Sequence, residues 1–253
     1  MAEGPVVTAG SAAADQPLAG QVAIVVGSSS GMGRATAVAY AQAGAKVVLA
    51  ARRADELREV AGQIGEAISL VCPTDAREPT QVGALVQAAV ERFGRIDILV
   101  YATGLNIPDR SLDRLTHETW ENMLATNVTG AFNCTQAVLP QMREQGAGLL
   151  IYLSSGCVQT ADASGVSYQA AKHALTGLAG GTFVEEQANG IRTTVIYPGL
   201  CDTPLVLQRP TPTPPEVMAK ALQPEDVADA CLYVAAAPAR ARVAELVLLP
   251  AGL

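Results

Sequence analysis

VAIVVGSSSGMGRATAVAYAQAGA, residues 22 to 45, decides the fold. Residues 22 to 26 are an unbroken apolar run rich in β-branched side chains, the composition of a short strand. The run leads at once into glycines at Gly27, Gly31 and Gly33, and then into an alanine-rich segment that reads as a helix ending near Gly44. Strand, glycine loop and helix in that order open a dinucleotide-binding unit. Side chains at the three glycine positions would obstruct the turn and hold the backbone away from a pyrophosphate, which such a unit seats at the positive N-terminus of the helix. Ser29, Ser30 and Met32 complete the turn.

Outward from this stretch the same rhythm repeats. KVVLAA (46 to 51) is a second strand and the helix after it closes at Gly65; AISLVCP (67 to 73) is a third strand and its helix ends at Gly94. DILVYATG (97 to 104) is a fourth strand, and Thr116 to Gln145 reads as one long helix with a kink at Pro140. GLLIYLSS is a fifth strand, followed by a helix from Ser164 to about Asn189; IRTTVIYPG is a sixth strand, PEDVADACLYVAAA a last helix and VAELVLLP a seventh strand. Strands alternating with helices, without repeats or a linker, imply an α/β chain with a doubly wound, seven-stranded parallel sheet and helices on both faces. Residues 20 to 253 are expected to form a single Rossmann-fold domain. Residues 1 to 19 would be a loose tail without the features of a signal peptide, and structure would begin at Gln21. The proline-rich segment from about 203 to 224 reads as a loop over the C-terminal edge of the sheet, where ligands bind in such folds.

Composition narrows the function. The chain has 253 residues, 49 % of them hydrophobic, and a formal net charge of -7 with no basic run, which argues against nucleic acid or an anionic membrane as the main partner. No apolar run approaches the ~20 residues that span a bilayer. Five scattered cysteines without a CxxC pair read as buried thiols in a reducing compartment, so the protein is expected to be cytoplasmic; Cys157 and Cys201, near the proposed site, are the two with a reactive alternative. Two separated histidines make a catalytic metal unexpected: His117 reads as a surface or cap residue and His173 as a helix-interface residue.

The chemistry concentrates between Ser154 and Lys172. Tyr168 and Lys172 are four residues apart in a helical segment and share one face, placing a phenol beside an ammonium. A tyrosine ordinarily titrates near pH ~10, and an adjacent cation favours its ionised form. Ser155, at the end of the fifth strand, would hold a substrate oxygen beside that phenol; Ser154 next to it lacks the GxSxG elbow of a hydrolase. At the tip of the second strand, Ala51, Arg52 and Arg53 stand where an acidic residue would bond the ribose of NAD. Two arginines suit the 2′-phosphate of NADP, so NADP(H) is favoured with NAD(H) as the alternative.

Serine, tyrosine and lysine at this spacing, with GSSSGMG before them, resemble the short-chain dehydrogenase/reductase family over about residues 20 to 250. The resemblance implies a reversible carbonyl reductase or alcohol dehydrogenase with a catalytic group of Asn127, Ser155, Tyr168 and Lys172. Tyr168 would exchange a proton with a ketone or alcohol, Ser155 would hold the oxygen, Lys172 would bind the nicotinamide ribose, and the Asn127 carbonyl would hold a relay water. Asparagine in a helix interior is otherwise unfavourable, which marks a functional kink. The resemblance also places Asp75, with Thr74 beside it, at the adenine, and Ala102, Thr103 and Gly104 beneath the cofactor. Pro198, Gly199 and Thr203 would border the nicotinamide. Two departures stand out: Val26 replaces the usual threonine before the loop, and Tyr101–Gly104 (YATG) replaces an NNAG tetrapeptide, so the bracing asparagines need a substitute. Val158, Gln159, Leu200 and Leu205 are expected in the substrate pocket. A homodimer or homotetramer is implied, with small residues in HALTGLAGG at its interface. Two other uses of the site are an epimerase or dehydratase, for which the substrate region is short, and a catalytically silent cofactor sensor or scaffold.

Overall fold

The computed structural model describes residues 16–253. The expected tail therefore lies largely outside the described residues, but packing begins before Gln21: Leu18 is fully buried and its N–H donates to the Ala43 carbonyl. The elements are β1 (Val22–Val26), α1 (Gly31–Gln42), β2 (Lys46–Ala51), α2 (Ala54–Ile64), β3 (Ser69–Pro73), α3 (Pro79–Phe93), β4 (Ile98–Tyr101), α4 (His117–Leu124), α5 (Gly130–Gln145), β5 (Gly148–Leu153), α6 (Val166–Glu186), β6 (Ile191–Pro198), α7 (Pro215–Met218), α8 (Pro224–Ala236) and β7 (Glu245–Leu248). The sheet is parallel throughout, in the order β3-β2-β1-β4-β5-β6-β7. The chain reverses direction across the sheet between β1 and β4, the topological switch point at which ligands of open α/β sheets bind.

Period-two alternation sorts the strand side chains onto two faces. Ala23, Val25, Val47, Leu49, Val100 and Ile151 meet α1, α2 and α8 through Tyr40, Leu57 and Val234. Ile24, Val26, Val48, Leu99, Tyr101 and Tyr152 meet α3, α5 and α6 through Leu85, Val138 and Leu175. Both faces are covered, which is why β1 and β5 are buried along their whole length. Cys134, Cys201 and Cys231 are buried thiols pushed up to about 12 by desolvation, so none of the three is poised for chemistry at neutral pH.

The register fixes the functional edge. Cys72, Ala50, Val26, Tyr101, Tyr152, Val195 and Glu245 pair in one continuous row across all seven strands. The segments that leave this row carry Gly27, Ala51 to Arg53, Thr74 and Asp75, Ala102 to Gly104, and Ser154 and Ser155 to a common edge.

The long helix expected from Thr116 to Gln145 is instead two helices. Thr116 caps α4 by accepting from the Thr119 N–H at 3.1 Å, and His117 is simply its exposed first residue. Ala125–Thr129 then forms a π-helical turn before α5 resumes. The break lies at Asn127, where the buried asparagine marks a kink, and not at Pro140, which α5 accommodates within its length. The loop expected from 203 to 224 contains a 3-10 turn, Pro204–Gln208, and the short α7.

Candidate active site

A cleft of about 560 Å³ opens along the C-terminal edge, within the range of small-molecule sites. Its walls include Gly27, Ser29, Ser30, Gly31, Met32 and Gly33, then Ala51, Arg52, Arg53, Thr74 and Asp75, then Ala102, Thr103 and Gly104, and finally Tyr168, Lys172, Thr203 and Leu205. The glycine turn leaves no room for side chains. A β-carbon on Gly33 would lie 2.3 Å from the Gly27 carbonyl oxygen, and one on Gly31 would lie 3.2 Å from Thr203 Cγ2. The Arg53 guanidinium reaches back to the same turn, donating through Nη2 to Ser29 Oγ at 2.9 Å and Ser30 Oγ at 3.0 Å. It also pairs with Glu56 at 3.1 Å on the exposed side.

Tyr168 and Lys172 stand one turn apart on the buried face of α6. Lys172 Nζ donates to the Leu153 carbonyl at 2.9 Å and lies 5.6 Å from the centre of the Tyr168 ring. The two serines at the end of β5 separate: Ser154 is buried and its hydroxyl donates to the Lys172 carbonyl at 2.9 Å, whereas half-buried Ser155 accepts from the Cys157 N–H at 3.3 Å. Asn127, fully buried, is clamped to the segment after β4. Its Nδ2 donates to the Leu105 carbonyl at 3.1 Å and the Met123 carbonyl at 3.0 Å, and its Oδ1 accepts from the Leu105 N–H at 3.1 Å. Gly104 joins the two sides: a β-carbon there would be 3.6 Å from Lys172 Nζ and 3.7 Å from Asn127 Oδ1.

The YATG segment supplies its own brace. The Tyr101 hydroxyl, fully buried, donates to the Thr126 carbonyl in the π-helical turn at 2.6 Å. The phenol spans from the end of β4 to the turn that holds Asn127 and does the bracing that asparagines were expected to do. A β-carbon on Gly130 would meet that hydroxyl at 2.3 Å, so the helix can approach only because Gly130 is bare.

Residues 21–212 match the family described as short chain dehydrogenase. The chain belongs to this family. Among its relatives is an uncharacterised oxidoreductase of Staphylococcus haemolyticus, 36 % identical over 233 residues that cover 92 % of this chain and 98 % of the relative. An uncharacterised oxidoreductase of Staphylococcus aureus is 34 % identical with the same coverage. Among solved structures, the 3-ketoacyl-(acyl-carrier-protein) reductase from Brucella melitensis complexed with NADH superimposes with a TM-score of 0.84 at 26 % identity, covering 91 % of this chain and 97 % of that one. The alcohol dehydrogenase of the archaeon Thermococcus sibiricus complexed with 5-hydroxy-NADP gives a TM-score of 0.83 at 27 % identity, covering 92 % and 97 %. This short-chain dehydrogenase is accordingly an oxidoreductase.

Other sequence-predicted residues of the dehydrogenase fall around the cleft or away from it. Val158 and Leu205 pack on the apolar cluster of Met123, Cys157, Tyr168 and Ala171, which surrounds the phenol. Gln159 is exposed, and neither it nor Leu200 forms part of the cleft wall. Pro198 and Gly199 also lie off the wall, with the Gly199 N–H donating to the Leu248 carbonyl at 2.8 Å. His173 is exposed, its ring nitrogen bonded to the Gln169 carbonyl at 2.7 Å. Asp75 is at the cleft, but its carboxylate is chelated by Arg77, which holds its pKa below the ordinary carboxylate value. Arg77 also donates to Asn122 Oδ1 at 3.1 Å, and both residues line the cleft although neither belongs to a motif that singles it out. Among the described residues no helix is long and apolar enough to cross a membrane, and no group of His, Cys, Asp and Glu could hold a metal ion.

Electrostatics departs from the sequence expectation. Burial raises the Tyr168 pKa well above that of an ordinary phenol, and the neighbouring Cys157 adds to the rise; the Ser155 hydroxyl and the Arg110 charge pull the other way. The phenol is thus held protonated, ready to donate. Lys172 is lowered to about 8 by burial. The unfolded chain keeps that proton up to pH ~10.4, so between about pH 8 and 10 the unfolded state binds the extra proton and stability rises with pH. The cost of burying the charge is complete below pH 8 and disappears above the unfolded value. Urea unfolding at pH 7, 8.5 and 10 is expected to show wild type gaining stability relative to Lys172→Met as pH rises. A constant difference across that range would place the lysine charge in contact with solvent.

Proposed function

We propose that this short-chain dehydrogenase catalyses reversible, NADP(H)-dependent reduction of a carbonyl compound to an alcohol, with Asn127, Ser155, Tyr168 and Lys172 as its catalytic group. The observation that carries this reading is the convergence of a glycine cradle and a buried Tyr168–Lys172 pair on one cleft at the switch point of the sheet. The cradle fits a dinucleotide: the positions that a β-carbon would block lie at the N-terminus of α1, where backbone N–H groups and the helix dipole favour a pyrophosphate. The cofactor supplies the hydride, or accepts it in the oxidising direction.

The protein's own groups do the rest. Tyr168, kept protonated by burial, donates its proton to the carbonyl oxygen. Ser155, just past β5 and capping the 3-10 turn Gly156–Val158, is the group to hold that oxygen. Lys172 offers its ammonium to the ribose hydroxyls from a site already shared with Asn127 and Gly104. The π-helical turn leaves its carbonyls outside the usual i to i+4 ladder, which suits the Asn127 carbonyl to hold a water leading toward Lys172. The apolar cluster around Tyr168 keeps bulk water from the phenol.

Arg52 and Arg53 support NADP(H) over NAD(H), because a 2′-phosphate beside Ser29 and Ser30 would meet a guanidinium already aimed at those hydroxyls. Purified protein should consume NADPH in the presence of a panel of ketones, with a higher kcat/KM for NADPH than for NADH. In Arg53→Ala that preference should fall on the order of 10- to 100-fold, the worth of a hydrogen bond to a charged group. An unaltered preference would assign the discrimination to another residue. Residues 20 to 253 are taken as one domain with 203 to 224 as the substrate segment. The exposed Phe132 beside Gly177 and Gly181 supports assembly through α5 and α6 into a homodimer or homotetramer, and the free cysteines suit a cytoplasmic enzyme.

A further inference from the structure

Among the described residues, two buried side-chain polar atoms have no hydrogen-bond partner: Arg110 Nε and Ser167 Oγ. Both lie at the start of α6: Ser167 is the residue before Tyr168, and Arg110 packs on Gly165, the N-cap of the helix. Arg110 comes from the loop between β4 and α4 and is only 9 % exposed. Its stem lies against Gly165, the residue that begins α6: a β-carbon on Gly165 would be 2.8 Å from both Arg110 Cβ and its carbonyl oxygen. The loop is pinned there by Asn106, whose Nδ2 donates to the Ser164 carbonyl at 3.1 Å.

A buried arginine that makes no hydrogen bond or ion pair is costly, because the guanidinium carries five donors and a full charge. Arg110 forms neither among the described residues, whereas Arg114 of the same loop pairs with Asp109 at 3.2 Å and Arg77, at the cleft, pairs with Asp75. Asp162 is the acidic group whose charge acts on Arg110, but it forms no ion pair with it, and its Oδ1 already accepts from the Ser164 N–H at 2.8 Å. Arg209, at the end of the 3-10 turn that contributes Leu205 and Gln208 to the cleft, has its own partner, its Nη1 donating to Thr213 Oγ1 at 2.9 Å. Arg110 packs on the start of a 21-residue helix whose N-cap, Gly165, offers no side-chain cap. The Arg110 guanidinium and the first N–H groups of that helix both lack a side-chain counterpart, one turn or less from Tyr168.

We propose that Arg110, with the free N–H groups at the start of α6, binds an oxyanion carried by the substrate, so that this dehydrogenase acts on an anionic carbonyl compound or hydroxy acid and not on a neutral ketone. The arginine anchors the anion while the carbonyl sits at Tyr168 and Ser155. The inference rests on the oxidoreductase reading above, and its test separates the two. NADPH-dependent kcat/KM is measured on two matched pairs, acetoacetate with methyl acetoacetate, and dihydroxyacetone phosphate with dihydroxyacetone. Wild type should prefer the charged member of one pair, carboxylate or phosphate, and the pair in which it does so identifies the oxyanion. In Arg110→Gln the charged-to-neutral preference should fall on the order of 10- to 100-fold, chiefly through KM, with partial recovery in Arg110→Lys. Independently of turnover, the charged probe should raise the melting temperature of the NADP-loaded wild type and not that of Arg110→Gln. Equal preference in wild type and both variants, an equal loss on charged and neutral members, or no thermal shift with either anion would overturn the assignment. Robust turnover of methyl acetoacetate alongside any of these results would leave the oxidoreductase reading standing and remove only the anion site.

Discussion

Tyr168→Phe is expected to lower kcat by about 10²- to 10⁴-fold, the usual worth of a positioned proton donor, while the variant still binds NADPH. The substitution removes one hydroxyl and keeps the ring, so the packing of Met123, Cys157 and Ala171 around it survives. The hydroxyl is also remote from the glycine turn between β1 and α1, where the proposed pyrophosphate would rest. The loss should therefore fall on the chemical step and not on binding. Single-turnover reduction, followed by loss of NADPH absorbance, measures the first; the enhancement of NADPH fluorescence on titration measures the second. Wild-type turnover in Tyr168→Phe would remove the phenol from the mechanism and return Ser155, or a water, to consideration as the proton source. Because burial holds the phenol protonated, the reducing direction needs no prior ionisation, whereas alcohol oxidation does. Oxidation should accordingly require higher pH than reduction.

Most of the fold was legible because it depends on short-range patterns. Buried strands announce themselves as apolar runs, and the glycines that end helices stand at the boundaries: Gly94 closes α3 in the left-handed region at a φ of 80°. The Tyr168–Lys172 pair was legible for the same reason, since four residues on a helix fix a shared face whatever lies around it. The π-helical turn was legible only as a kink at Asn127, an asparagine in a helix interior. Its form was not, because it goes with the clamp from Asn127 to Leu105, a contact between segments 22 residues apart. Pro140 looked like a second kink because proline is the strongest local signal, yet α5 runs through it. Tyr101 looked like a loss of bracing when read as a missing asparagine; only the three-dimensional reach of a phenol to the Thr126 carbonyl shows it as a brace. Arg110 gave no signal at all. A single arginine in a loop has no period and no motif, and what makes it notable is burial without a partner, a property that sequence does not carry.

Gly33→Ala is expected to destabilise the protein by roughly 1–3 kcal/mol, as overpacked positions do, and to weaken cofactor binding severely. The new methyl would lie 2.3 Å from the Gly27 carbonyl oxygen, 2.8 Å from the Gly27 carbonyl carbon and 3.1 Å from Ala102 Cβ. Two of those atoms are backbone, so no rotamer change relieves the clash. Gly27 cannot retreat: its N–H donates to the Ala50 carbonyl at 2.7 Å, and its φ of 94° belongs to a turn in which a β-carbon would itself be 2.8 Å from the Thr103 nitrogen. Relief must come from α1 moving outward, which withdraws the helix N-terminus from the place where a pyrophosphate would rest. Stability and binding should then fall together. Gly62→Ala in α2 is the control, because nothing lies within 4 Å of the added carbon; it should stabilise by up to about 1 kcal/mol through helix propensity alone. Urea unfolding and NADPH titration on both variants separate the effects. If Gly33→Ala bound NADPH as wild type does, the close approach of α1 to β1 would be a matter of packing, and the anion would have to be held by side chains such as Arg53 instead of by the turn.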